Sequence, residues 1–61
     1  MKRRDLEKKM RSWGWELKRH GGKHDYWTNG AEEIAVPRHS EINENLARGI
    51  LKTARSKRKE R

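Results

Sequence analysis

The sequence predicts an α+β fold in the order helix, strand, strand, strand, helix. Apolar residues recur at helical spacing at both ends of the chain. Between them lie three short segments of alternating polarity, parted by Gly21-Gly22 and by Asn29-Gly30. Two helices with one apolar stripe each should cover the same face of a three-stranded antiparallel sheet and leave its other face open.

The first helix is read over Asp5 to Trp13, from Leu6, Met10 and Trp13 with charges between them. Asp5 caps its start or lies in its first turn, where a negative charge meets the positive end of the helix dipole. Gly14 is a natural stop. Trp15 to His20 reads as a strand in which Trp15 and Leu17 alternate with Glu16 and Lys18. His20-Gly21-Gly22-Lys23 is a glycine turn, because glycine takes positive φ at no steric cost.

His24 to Thr28 is the second strand, with Trp27 toward one face and His24, Tyr26 and Thr28 toward the other. Asn29-Gly30 is the strongest short-range hairpin signal in the chain. Glu33 to Pro37 forms the third strand, Ile34 and Val36 inward, and ends at Pro37 because proline cannot donate to a ladder. Arg38 to Ile42 is a connecting loop. Asn43 is the N-cap of a second helix, with Glu44 in its first turn. Leu46, Ala47, Ile50, Leu51 and Ala54 form its stripe, and Gly49 inside it suggests close approach to the sheet. The core face is expected to take Trp15, Leu17, Trp27, Ile34 and Val36. The single domain spans residues 1–54. Residues 55–61 are a basic tail, a frayed helix end or a disordered segment.

Sixty-one residues allow one small domain. There is no cysteine, hence no disulfide and no thiolate metal site, and this fits a reducing compartment and a cytoplasmic location. Nothing is long and apolar enough for a transmembrane span, and the basic start, Met1-Lys2-Arg3-Arg4, is not followed by the apolar stretch of a secretory signal. Lysine and arginine number 17 against 9 acids, a formal net charge of +8. Such an excess on so short a chain points to a polyanion, foremost nucleic acid. A membrane surface is disfavoured, because neither helix joins a wide apolar face to a basic one.

Chemistry gathers at Gly21-Gly22-Lys23-His24. An imidazole directly after a glycine turn is a titratable group at the mouth of a hairpin, beside a cation. Tyr26 on the same face either stacks an unpaired base or packs across the strands. Lys23, Arg38 and the turn amides are candidates for stabilising charge on a phosphate. His39 is a second acid or base, or a loop-packing residue, and His20 is a solvated strand-end residue. Trp13, Trp15 and Trp27 read as core. A metal site is not expected: His20 and His24 lie on opposite arms of a turn, and Asp25 points away from His24. Gly21-Gly22 also lacks the strand-loop-helix setting of a nucleotide-phosphate loop.

The helix followed by Gly14-Trp15, then Gly21-Gly22-Lys23-His24, then Val36-Pro37-Arg38-His39, then Leu46…Ile50-Leu51 resembles the HicA toxins of bacterial toxin–antitoxin pairs. The resemblance runs from Leu6 to Ala54. It implies a fold like the double-stranded-RNA-binding domain. It also implies metal-independent endonucleolytic cleavage of messenger RNA without a cofactor, His24 as the essential residue, and a HicB antitoxin that masks the site. Many members carry a small hydroxyl residue where this chain has Lys23. The competing readings are a non-catalytic RNA- or DNA-binding module of the same fold, and a basic surface serving only an acidic protein.

Overall fold

The computed structural model describes residues 1–58; the last three residues of the expected tail lie outside them. The order is α1 (Arg3–Ser12), β1 (Glu16–His20), β2 (His24–Thr28), β3 (Glu33–Pro37) and α2 (Glu44–Ser56). The strands form one antiparallel sheet in the order β1-β2-β3. This is the predicted α-β-β-β-α architecture.

The core joins Leu6 and Met10 of α1 to Ala47, Ile50 and Ala54 of α2 over Trp15, Trp27 and Val36 of the sheet layer. Both helices thus cover one sheet face. The Trp15 indole donates to the Ala54 carbonyl at 3.0 Å and ties the start of β1 to the end of α2. Asn43 caps α2 as expected, its side-chain oxygen accepting from the amides of Asn45 and Leu46. Gly14 ends α1 with φ +87°. Asp5 does not cap α1; it lies in the first turn, and Lys2 occupies the cap position without a side-chain hydrogen bond.

Several details depart from the sequence pattern. Leu17 and Leu46, expected inside, are 39% and 47% exposed. Leu17 stands opposite Trp27 on the edge strand, where the helices do not reach over it. Ile42, assigned to a loop, is buried. The segment before α2 pairs with the chain start through a Lys2–Glu41 bridge and an Ile42 N–H to Met1 carbonyl bond of 2.7 Å, which carries Ile42 under the sheet. A Cβ at Gly49 would meet nothing within 4 Å, so no close approach requires that glycine. The α2 helix continues two residues past the expected boundary at 54. No described helix is long and apolar enough to cross a membrane.

Candidate functional site

The site is built on the β1–β2 hairpin. Register runs Glu16 to Thr28, Leu17 to Trp27, then Arg19 to Tyr26 and His20 to Asp25, with Lys18 extra. This is a β-bulge: two residues on one strand face one on the other. Strict alternation from Leu17 would have turned Arg19 toward the helices and His20 outward. The bulge reverses both. Arg19 pairs with Tyr26 on the open face, its guanidinium carbon 4.5 Å from the ring centroid. Lys18 reaches over the sheet to Glu33 at 2.6 Å, and this hydrogen bond holds the Glu33 carboxyl below the usual glutamate value.

The turn is also centred one residue later than the glycine pair suggests. Gly21 donates to the His24 carbonyl at 2.8 Å, so Gly22 and Lys23 are its central residues. Neither Gly21 nor Gly22 has positive φ. The requirement at Gly21 is room: a Cβ there would lie 2.5 Å from the Tyr26 ring and 2.7 Å from the His24 carbonyl oxygen. Gly21 lets Tyr26 fold over the strand end beside His24. A Cβ at Gly22 would meet nothing within 4 Å.

His24 opens β2, exposed, on the helix-free face, with Pro37 opposite on β3. No hydrogen bond or ion pair to a described residue occupies its ring. Tyr26, half-buried, follows it on the same face, and Lys23 precedes it in the turn, exposed. His39 is exposed after β3. The structure therefore gathers His24, Tyr26 and Arg19 on one face. Arg19 went unnoticed in the sequence because nothing local marks the bulge.

Arg38 has a different setting. Its guanidinium lies 3.4 Å from Asp25 and donates to the Gly21 carbonyl at 3.3 Å, while its own carbonyl accepts from Arg3 at 2.6 Å. Asp25 is 5% exposed, on the helix-covered face. The same Asp25 oxygen accepts from His20 Nδ1 at 2.8 Å. His20 is thus a partner of a buried carboxylate, not only a solvated strand end. A buried carboxylate must be matched by donors, and the His20 ring and the Arg38 guanidinium supply them. Together they clamp the turn from behind: Asp25 on β2, His20 on β1, Arg38 after β3. Centring the turn on Gly22-Lys23 places residue 20 opposite residue 25, a pairing that the glycine pair alone does not mark.

Among the described residues, no three His, Cys, Asp or Glu side chains converge in a way that could hold a metal ion. The arrangement offers a free imidazole at the turn, an aromatic platform and nearby cations, and His39 after β3 is likewise exposed with no partner among the described residues. These suit proton transfer and phosphate contact on a single-stranded chain. Comparison with curated proteins and with solved structures returns no significant match. The family model for the HicA toxin of bacterial toxin–antitoxin pairs matches residues 3–55. That match covers both helices' cores, the sheet and the turn, and the chain therefore belongs to the HicA family, the toxin side of such pairs.

Proposed function

We propose that this toxin is a metal-independent endoribonuclease that cleaves messenger RNA, with His24 as its proton-transfer residue, and that a HicB-type antitoxin masks the site. The observation that carries this reading is His24 itself, an exposed imidazole free of described partners at the mouth of a braced turn. His20, by contrast, is held by Asp25, and His39, also exposed and without a described partner, lies beyond β3 and not at the turn.

In the reaction the 2′-oxygen attacks the adjacent phosphorus while the bond from phosphorus to the 5′-oxygen breaks. One proton leaves the 2′-hydroxyl and one reaches the departing 5′-oxygen. The products are a 2′,3′-cyclic phosphate and a 5′-hydroxyl. Imidazole suits either transfer, because its ordinary pKa lies near neutrality. Lys23 and Arg19 supply positive charge toward the phosphate, and Tyr26 offers a ring for a neighbouring base. Arg38 acts behind the turn, through Asp25 and the Gly21 carbonyl.

The test is His24→Ala. Expression of the wild-type chain arrests growth and degrades RNA, whereas the variant is tolerated and keeps the circular dichroism of the folded chain. Equal toxicity of the variant overturns the assignment. Purified wild-type protein also cuts RNA in the presence of EDTA; loss of cleavage on chelation overturns the metal-free chemistry.

A further inference from the structure

A second basic feature lies away from His24. The C-terminal half of α1 and the outer side of α2 form a groove of about 750 Å³. Trp13 and Leu51 are its apolar lining, and Lys9, Arg48, Lys52 and Arg55 stand around them. Arg48, Lys52 and Arg55 follow one another at intervals of four and three residues, so they share one stripe of α2. Arg58 lines it too, no carboxylate among the described residues does, and none of these cations forms an ion pair with a described residue. Trp13 is half-buried, while Trp15 and Trp27 are each 1% exposed. The groove therefore holds the chain's one accessible indole.

We propose that this groove is a second binding site for single-stranded RNA, remote from the cleavage site. Successive unpaired cations beside an aromatic ring combine a track for the phosphate backbone with a stacking platform for a base. An acidic protein segment would use the charge but has less need of the indole. The groove adjoins Trp13, just before the start of β1, and His24 lies at the far end of that hairpin on the opposite sheet face. A five-residue strand spans roughly 17 Å, so only an RNA of several nucleotides can reach both places. The groove then raises affinity for long RNA without entering the chemistry. That last consequence rests on the ribonuclease reading; RNA binding by the groove does not.

The experiment combines Arg48→Gln, Lys52→Gln and Arg55→Gln. These side chains are exposed and glutamine is a comparable helix former, so the fold is retained. In a His24→Ala background, binding of a single-stranded RNA of about 20 nucleotides, longer than the roughly 4–16 such grooves span, weakens roughly tenfold or more. The slope of log affinity against log salt falls by about 2, at roughly 0.7 per lost phosphate contact. RNA quenches the tryptophan emission of the parent, and Trp13→Leu removes that response. With His24 intact, the triple variant raises KM for the long RNA and leaves trinucleotide cleavage unchanged.

Unchanged affinity and salt slope overturn the proposal. So does a triple variant that binds RNA normally but loses affinity for the antitoxin, which would assign the groove to a protein partner. A wild-type chain that binds RNA through the groove without cutting it would overturn the ribonuclease reading and leave the groove standing.

Discussion

The two turns of the sheet contain the same residue type for different reasons. The Asn29–Glu32 turn is closed by its own atoms. The Asn29 side-chain oxygen accepts from the amides of Ala31 and Glu32, and Thr28 Oγ accepts from the Gly30 amide. Gly30 takes φ +96° and has open space around it. The Gly21–His24 turn has no positive φ and no such internal network. It is held from outside by the Tyr26 ring on one face and the Asp25–Arg38 contact on the other. The first turn closes on itself and is tied to the end of α2 as well, where Asn29 donates to the Lys57 carbonyl and Lys57 pairs with Glu32. The second has no side-chain closure of its own and rests on Tyr26, Asp25 and Arg38, and it carries the candidate catalytic residue. Glycine at 30 answers to backbone conformation; glycine at 21 answers to space beside the site.

Substitution separates the two cases. Gly21→Ala should have the largest effect. Its methyl must displace either an aromatic ring or a backbone carbonyl, which costs about 1–3 kcal/mol as overpacking. RNA cleavage should fall by at least tenfold, because the displaced atoms adjoin His24. Thermal unfolding and a cleavage assay on the same sample check both. A variant as active as wild type would break the claim that room at Gly21 serves the site.

Asp25→Ala comes next. It leaves His20 and Arg38 without their acceptor, and a lost partner of this kind costs about 1–3 kcal/mol. The lower end is expected here, since the His20 and Arg38 side chains are 62% and 47% exposed and water replaces part of the loss. Hydrogen exchange should show faster opening at the Gly21 amide, with no matching change at Ala31. Equal acceleration at both turns would mean that Asp25 stabilises the sheet generally and does not brace one turn.

Gly30→Ala should cost about 1–2 kcal/mol through left-handed strain and leave cleavage untouched. Gly22→Ala, adjacent to the sensitive position, should stay within about 0.5 kcal/mol. Denaturant titration of both variants beside Gly21→Ala gives the contrast directly. If Gly22 proves the costlier of the turn pair, the assignment of roles inside the turn is wrong.

The smallest effect belongs to Glu33. Its folded-state value lies below the ordinary one because Lys18 donates to it. The associated stability is present above the unfolded value and is lost as pH falls through the lowered one. Carboxyl titration by NMR should show this midpoint return toward the usual value in Lys18→Gln. Salt should weaken the wild-type shift, since the pair is exposed.

These contrasts also explain what the sequence could and could not reveal. Elements with local causes were legible: the Asn43 cap, the stop at Gly14, the Asn29-Gly30 hairpin and the end of β3 at Pro37. The exposed position of His24 followed from strand alternation alone. The bulge at Lys18 did not, because it arises from the pairing of two strands and has no composition of its own. With it went the facing of Arg19 and of His20. Ile42 was missed because its burial depends on a bridge to the chain start, some forty residues away. Arg38 was read by its charge, and its engagement with Asp25 is a contact between residues far apart in sequence. Leu17 and Leu46 show the converse error: a residue can keep the apolar period and still lie beyond the reach of the opposing layer.

The bulge at Lys18 has one more effect, on the company the protein keeps. β1 is an edge strand, and an edge presents unpaired amides and carbonyls to any other chain in extended form. A flat edge five residues long would be a template for self-association. Here the extra residue bends that edge, and Lys18 and Arg19 crowd it with charge at the point where the ladder breaks. Deleting Lys18 would restore a regular register and offer a smooth strand to the next molecule. The irregularity that sets Arg19 beside Tyr26 thus also interrupts the regular edge that β1 would otherwise present.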